Sequence, residues 1–182
     1  MLEPSSGVGN FVGAMPASMA AKVKSFTMVE LDGITGLIAK YLYPNADVRI
    51  QGFEKANIPN NYMDVAISNV PFGNYPISDK SYPNKVTSAI HNYFFAKSID
   101  KVRPGGIVMF ITSAYTMNSK DSSVRQYFRW HADLLGAIRL PDTAFKGNAG
   151  TEVVTDILIL KKRVPGTPYA GADFLNADYQ YI

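Results

Sequence analysis

The chain has 182 residues, 47% of them apolar, and a formal net charge of +3. That length buries one substantial core and fits a single domain. The absence of cysteine excludes a disulfide framework or thiolate metal site, and the small charge excludes a protein that holds nucleic acid by charge alone.

The first apolar stretch, 1–4, reads as a strand that runs almost at once into Glu3-Pro4-Ser5-Ser6-Gly7-Val8-Gly9-Asn10-Phe11. Glycines in such a turn let a ligand approach the backbone, although tight turns use glycine for other reasons too. A helix is expected over 11–22, then a strand over 26–30 that ends in Glu30. An acid about 20 residues beyond a glycine turn can accept hydrogen bonds from both hydroxyls of a ribose; the competing role is a solvated strand-end carboxylate. Asp32 reads as the N-cap of a helix over 33–43, because a short side chain with an acceptor oxygen satisfies a free N–H of the first turn. A strand over 47–50 is followed by Gly52-Phe53-Glu54.

The strand over 63–68 ends in Asn69-Val70-Pro71-Phe72, an amide, a rigid turn and an aromatic. This combination suits the gripping of a planar amino group. An exocyclic amine is a poor nucleophile because its lone pair is delocalised into the ring. Two acceptors, the Asn69 side-chain carbonyl and the backbone carbonyl of Val70, can take both amine hydrogens and favour a more pyramidal nitrogen. Pro71 fixes the turn, and Phe72 offers a stacking face worth roughly 1–3 kcal/mol per base. Taken alone, the tetrapeptide fits a strand end with a core phenylalanine better, and it gains its meaning from the glycine loop upstream.

Residues 73–88 are polar and punctuated by tyrosine and proline, which fits either a segment that closes over a substrate or a surface connection. A helix over 88–101 leads to Arg103-Pro104-Gly105-Gly106 and a strand over 106–112, whose unbroken apolar run suits burial on both faces. A helix over 121–130 and strands over 134–139 and 154–161 complete the pattern. Alternating strands and helices imply an α/β fold with a parallel sheet and crossover helices, and ligand at the carboxyl edge of the strands. Residues 163–182 open with Arg163-Val164-Pro165-Gly166-Thr167-Pro168 and then show Tyr169, Phe174, Tyr179 and Tyr181. They read as an exit toward a further domain or as packing on this one. His91 and His131 are too few for an evident zinc site, and with no signal peptide or membrane-length apolar run a soluble cytoplasmic protein, without metal or membrane, is expected.

Five segments occur in an order that resembles class I S-adenosylmethionine-dependent amino-methyltransferases, of the N6-adenine DNA methylase kind found in restriction-modification. They are E-P-S-S-G-V-G-N-F at 3–11, V-E-L-D at 29–32, S-N-V-P-F-G at 68–73, R-P-G-G-I-V-M-F-I-T-S at 103–113, and L-P-D-T-A-F at 140–145 followed by T-D-I-L-I-L-K-K. The match spans most of 2–162 and is similar in style to methylase modules of large bacterial mobile-element polypeptides that also carry helicase parts. The resemblance implies a Rossmann-like, mostly parallel seven-stranded sheet in the order 3-2-1-4-5-7-6, with the last strand antiparallel and the first truncated. It implies a catalytic domain over 1–162, a linker or C-terminal extension over 163–182, S-adenosylmethionine as cofactor, and methyl transfer to N6 of adenine in DNA. DNA, further recognition domains or subunits and a helicase are the implied partners.

Carried over residue by residue, the resemblance makes Asn69, Val70, Pro71 and Phe72 the catalytic turn. Glu3, Pro4, Ser5, Gly7, Gly9, Asn10, Phe11, Glu30 and Leu31 become the cofactor site, with Glu54 near the cofactor's adenine amine and Phe145 opposite Phe72 across the extruded base. Two departures stand out: Val70 replaces a proline, and the cofactor-contacting segment that the family carries before this loop is expected to lie outside the chain. An RNA amine, a protein glutamine, cytosine N4 or a non-catalytic scaffold stay open as alternatives.

Overall fold

The computed structural model describes residues 1–145 and 153–176; Tyr179 and Tyr181 lie outside them. Seven strands, β1 (Leu2–Glu3), β2 (Thr27–Glu30), β3 (Asp47–Ile50), β4 (Met63–Asn69), β5 (Val102–Ser113), β6 (Ala132–Leu140) and β7 (Thr155–Lys162), form one sheet in the order β3-β2-β1-β4-β5-β7-β6. The pairs from β3 to β5 are parallel, and β7 runs antiparallel to both neighbours. The expected order and the antiparallel strand are both present. The first strand is short: it has two residues, yet Leu2 pairs with Thr27 on one side and Ala66 on the other and is fully buried.

Seven helices connect the strands among the described residues: α1 (Asn10–Gly13), α2 (Ala17–Ala20), α3 (Gly33–Leu42), α4 (Asn84–Thr87), α5 (Ile90–Lys101), α6 (Tyr115–Asn118) and α7 (Ser123–His131). The single helix expected over 11–22 is instead two single turns. Pro16 causes the break: it stands at the N-cap of α2 with ψ 140°, it has no N–H to donate, and it pushes the preceding residue out of helical conformation. Asp32 caps α3 as expected, its Oδ1 accepting from the Thr35 N–H at 2.7 Å. On α3 only Gly36 and Ala39 are buried, because Gly36 lets the helix approach so closely that a Cβ there would lie 2.9 Å from Ile50.

The segment Arg103-Pro104-Gly105-Gly106 lies inside β5 rather than before it. Pairing with β4 shifts register between Met63 and Val65, and a Cβ on Gly106 would sit 2.8 Å from the Arg103 carbonyl oxygen and 2.9 Å from that of Asp64. Glycine is therefore what permits the irregularity.

Helix α5 organises the core. Every residue from Ile90 to Ile99 is buried, and Phe95 packs on Phe110 and Phe128 with ring centroids 5.0 and 5.5 Å apart. Of the C-terminal residues, 164–168 are exposed and the chain then returns to the body of the domain through Ala172, Phe174 and Leu175. Phe174 is fully buried and stacks on Phe128, the Arg125 side chain donates to the carbonyls of Phe174 and Leu175, and the Ala172 N–H donates to the Leu134 carbonyl. Truncating a buried phenylalanine costs about 3–5 kcal/mol, and at this chain length each kcal/mol lowers Tm by about 2–4 °C. Phe174→Ala is thus expected to lower the melting temperature by roughly 10 °C, whereas an unattached exit segment would leave it unchanged; differential scanning fluorimetry separates the two.

Candidate active site at the carboxyl edge

The ends of β1, β2, β3 and β4 open onto a cavity of about 500 Å³ whose walls include Pro4, Ser5, Glu30, Leu31, Glu54 and Pro71. Six residues singled out in the sequence, distant along the chain, therefore meet in one place. Glu30 holds the entrance together. One carboxylate oxygen accepts from the Gly7 N–H at 2.8 Å and the other from the Asp32 N–H at 2.9 Å, so its carboxylate fixes both the glycine loop and the turn that starts α3. Each oxygen keeps a second lone-pair direction for a ligand hydroxyl.

The two glycines of the loop do different work. Both have positive φ, 54° at Gly7 and 90° at Gly9, where a side chain would be strained. The space above Gly7 is open, with nothing within 4 Å of an added Cβ. At Gly9 the space is taken by Tyr43, whose ring carbon would lie 2.3 Å from a Cβ and whose hydroxyl donates to the Gly9 carbonyl. Gly9 is thus a packing glycine under Tyr43, and Gly9, Asn10 and Phe11 are not among the cavity walls.

Glu3 lies behind the cavity, 2% exposed, and its Oε2 has no hydrogen-bond partner. Burial, reinforced by the negative charge of Glu30, pushes its carboxyl from 4.5 up to about 8. A buried, unpartnered acid beside a second acid is a place where a cationic group would be welcome. Glu54 is on a single 3-10 turn, Phe53–Lys55, anchored from below: Phe53 is buried against Phe94 at 5.1 Å, and Lys97 donates to the Glu54 carbonyl at 3.0 Å.

The turn after β4 is tied to the glycine loop, since the Ser68 hydroxyl donates to the Ser5 carbonyl at 3.0 Å. Asn69 is exposed, and its side chain makes no hydrogen bond with the described residues. Val70 is 2% exposed, and its N–H donates to the Ile111 carbonyl at 3.1 Å. A proline at 70 has no N–H to make that bond; valine adds one rung between the turn and β5 where a ring would have supplied stiffness. Phe72 is 37% exposed, so it is not a core residue. Phe145 closes a 3-10 turn, Asp142–Phe145, and is half-buried; the two rings do not stack on each other among the described aromatic contacts.

The far wall of the cavity is the segment read in the sequence as either closing over a substrate or crossing the surface, and it takes the first place. Tyr75, Pro76, Ile77 and Ser78 line it, with Ile90 and Phe94 from α5. The loop is moored there by Asp79, which accepts from the Tyr93 hydroxyl at 2.7 Å and lies 3.7 Å from the Lys97 ammonium. Burial alone pushes the Asp79 carboxyl up; hydrogen bonds from Tyr93 and Ser81, with Lys97 nearby, outweigh it and hold it below the usual carboxylate range. The Pro and Tyr punctuation of 73–88 was the available signal, and Tyr93 and Lys97 at i and i+4 on α5 are its partners.

The strand order, with a single antiparallel strand second from the edge, now admits a comparison. A Listeria monocytogenes protein assigned to the class I S-adenosylmethionine-dependent methyltransferases superposes with a TM-score of 0.74 at 22% identity, over 93% of this chain and 55% of that one. The chain has the class I methyltransferase fold. The M protein of the type I restriction enzyme EcoKI superposes with a TM-score of 0.70 at 18% identity, over 92% of this chain and 40% of that one. In sequence, the chain is 32% identical over 167 residues to defense against restriction protein B of Escherichia phage P1, a match over 88% of this chain and 7% of that protein. The chain thus spans a small part of the phage protein's length. No family model matches it.

Two substitutions test this edge of the methyltransferase fold. Bonds to a charged acceptor are worth about 1.5–3 kcal/mol each, so Glu30→Ala is expected to lower the melting temperature of the ligand-free protein by several degrees, and not merely to alter ligand binding. Glu3 acts through its raised pKa: its contribution to stability is fully present below 4.5 and lost as pH rises through about 8. Glu3→Gln is therefore expected to match the parent in Tm near pH 4 and to exceed it by several degrees near pH 8, as read from thermal melts across that range.

Proposed function

We propose that this chain is the catalytic part of an S-adenosylmethionine-dependent methyltransferase acting on the N6 amino group of adenine in DNA, within a larger assembly. The observation that carries the reading is the closeness of an exposed, unengaged Asn69 amide to a cavity walled by Pro4, Ser5, Glu30, Glu54 and Pro71, the two joined by the Ser68 to Ser5 hydrogen bond.

The residues present fit the cofactor. Glu30 retains acceptor capacity for ribose hydroxyls, Leu31 and Phe94 offer apolar surface for a purine, and the Glu54 carboxylate on the same wall can accept from a purine amine. The orphaned Glu3 Oε2 suits the ammonium of the methionine part, and the open space over Gly7 lets the ligand reach the backbone. S-adenosylmethionine bound there would supply a methyl group on a positively charged sulfur. The chain's own contribution is at the other end of the reaction. The Asn69 side-chain oxygen and the Val70 carbonyl accept the two amine hydrogens and hold the nitrogen lone pair out of ring conjugation, while Phe72 stacks on the base. Positioning of this kind supplies much of a rate enhancement. A duplex must first release the base, at a cost of a few kcal/mol.

DNA is favoured over RNA or a protein glutamine because the relatives in sequence and fold include a protein named for defence against restriction and the M protein of a restriction enzyme. The same comparisons support partners that read the sequence, since this chain corresponds to a fraction of each. Removing a transition-state acceptor typically costs at least about 100-fold in rate. Asn69→Ala in the full-length protein is expected to lose methyl transfer by at least that factor with unchanged Tm, because its side chain is exposed and unbonded. Transfer of labelled methyl to DNA, RNA and a glutamine peptide, followed by nucleoside analysis, measures this; label on RNA or peptide alone, or turnover retained without Asn69, overturns the reading.

A further inference from the structure

Two parts of the cavity wall belong to no strand or α-helix: the single 3-10 turn Phe53–Lys55 and the segment from Tyr75 to Ser78. Both lead to one side chain. Lys97 of α5 is 5% exposed and is not among the cavity walls. Its ammonium donates to the Glu54 carbonyl at 3.0 Å and to the Tyr93 hydroxyl at 3.2 Å. It also lies 3.7 Å from the Asp79 carboxylate and 5.2 Å from the centre of the Phe53 ring. Tyr93 passes the link on, its own hydroxyl donating to Asp79 at 2.7 Å. A buried ammonium persists only where acceptors and rings answer it, and here they come from the turn that carries Glu54 and from the residue that follows Ser78. One amine therefore sets the spacing of two wall segments that are distant in sequence.

The Glu54 carboxylate gives that spacing a chemical meaning. It lies over Gly52, another wall residue, so closely that a Cβ added there would be 2.3 Å from either carboxylate oxygen. The carboxylate makes no hydrogen bond with the described residues, and so it is an open acceptor. Where it points follows from the backbone of its turn, which is held at the Glu54 carbonyl by Lys97 and at Phe53 by packing on Phe94. An acceptor on the wall favours a purine with an amine at position 6 over one with a carbonyl there, because the carbonyl leaves the carboxylate unpaired and repels it. Selection of this kind needs the acceptor held to within about 0.5 Å by the groups behind it.

We propose that Lys97 is a positioning residue that sets the purine selectivity of this cavity, holding the Glu54 turn against the segment anchored at Asp79 so that the Glu54 carboxylate meets the 6-amino group of a bound adenosine. The inference rests on the reading of the cavity as the site of S-adenosylmethionine. Lys97 acts from behind the wall and reaches the ligand only through Glu54. Without the ammonium, Asp79 still accepts from the Tyr93 hydroxyl and the Ser81 N–H, whereas the Glu54 turn loses the bond at its carbonyl. The loss is thus felt first where the purine amine is read.

Calorimetric titration of the full-length protein with S-adenosylhomocysteine and S-inosylhomocysteine, which carry an amine and a carbonyl at that purine position, tests this. The parent is expected to favour the adenosine ligand by about ten- to a hundredfold. Lys97→Met, with its fold checked by Tm, is expected to weaken S-adenosylhomocysteine by about tenfold and S-inosylhomocysteine little, bringing the two toward parity. A role in packing alone would weaken both by the same factor, and that result, or an unchanged preference, overturns the proposal. Hydrogen exchange of the ligand-free protein, followed by mass spectrometry, supplies a second measurement. Lys97→Met is expected to speed exchange over both 53–56 and 77–81, and Tyr93→Phe, which keeps the Lys97 bond to Glu54, over 77–81 alone with the purine preference retained. Should Lys97→Met fail to fold, Tyr93→Phe carries the test: exchange unchanged over 77–81, or a lost purine preference, overturns the proposal. A parent that binds neither ligand overturns the cofactor reading and this inference with it, whereas a parent that separates the two ligands as well without the Lys97 ammonium overturns this inference alone.

Discussion

The carboxylate of Glu30 is the constraint on which the candidate site depends. In the loop that turns through two left-handed glycines, the Ser6 N–H reaches the Val29 carbonyl and the Gly9 N–H the Ser6 carbonyl, which leaves the Gly7 N–H to a side-chain acceptor. Glu30, held at the end of a buried parallel strand, accepts from Gly7 in that loop and from Asp32 in the next turn. One side chain thus sets the mouth of the cavity and the start of α3. The charge it brings has a second consequence: it adds to the burial that keeps Glu3 protonated. The site is therefore organised by one acid that ties two backbone N–H groups together and a second, buried acid whose pKa burial raises.

The turn after β4 shows how a local departure can be absorbed. Rigidity at position 70 can come from a ring or from a bond, and Val70 uses the bond, donating to Ile111 while its side chain joins the core. The strand continues its ladder one residue past Asn69, leaving the Asn69 amide on the exposed side of a residue pinned to the sheet. The Ser68 hydroxyl fixes the same strand to the glycine loop on the other side. Geometry at Asn69 is consequently set by two bonds that are both one residue away, and this is short enough leverage to hold an amide in place without burying it.

What was legible in the sequence is what is local or periodic. The glycine loop, Glu30, Asp32 and the Asn69 turn each sit at a strand end and announce themselves by residue type, and apolar runs located the central strands. The helix over 11–22 misled because apolar content continued through Pro16, and the missing N–H outweighed it. Gly9 misled in a different way: its glycine reads as an open approach, while Tyr43, 34 residues later, fills the space. Tyr43 carries no local signature of its role, because that role comes from tertiary contact, and the Pro and Tyr punctuation around Tyr75 to Ser78 left open whether the segment closes on a site or crosses the surface. The extent of β5 was hidden for the same reason, since Pro104 and the two glycines look like a boundary until the bulge opposite Asp64 explains them.

Burial of α5 supports the segment that follows β4. A helix with polar residues at His91, Asn92, Lys97 and Ser98 would be expected to turn those residues to solvent, yet all four are buried. Lys97 finds Asp79, Tyr93 and the Glu54 carbonyl, and so supports the wall of the large cavity. His91 and Asn92, one and a half turns earlier, are left with unmet atoms. Polar groups in a packed helix are costly unless answered, and at Lys97 the answer is the loop that follows the catalytic turn. At His91 the ring reaches the same segment through Gly73 and still has a nitrogen to spare. The same helix thus braces the segment after β4 from behind at Gly73 and at Asp79.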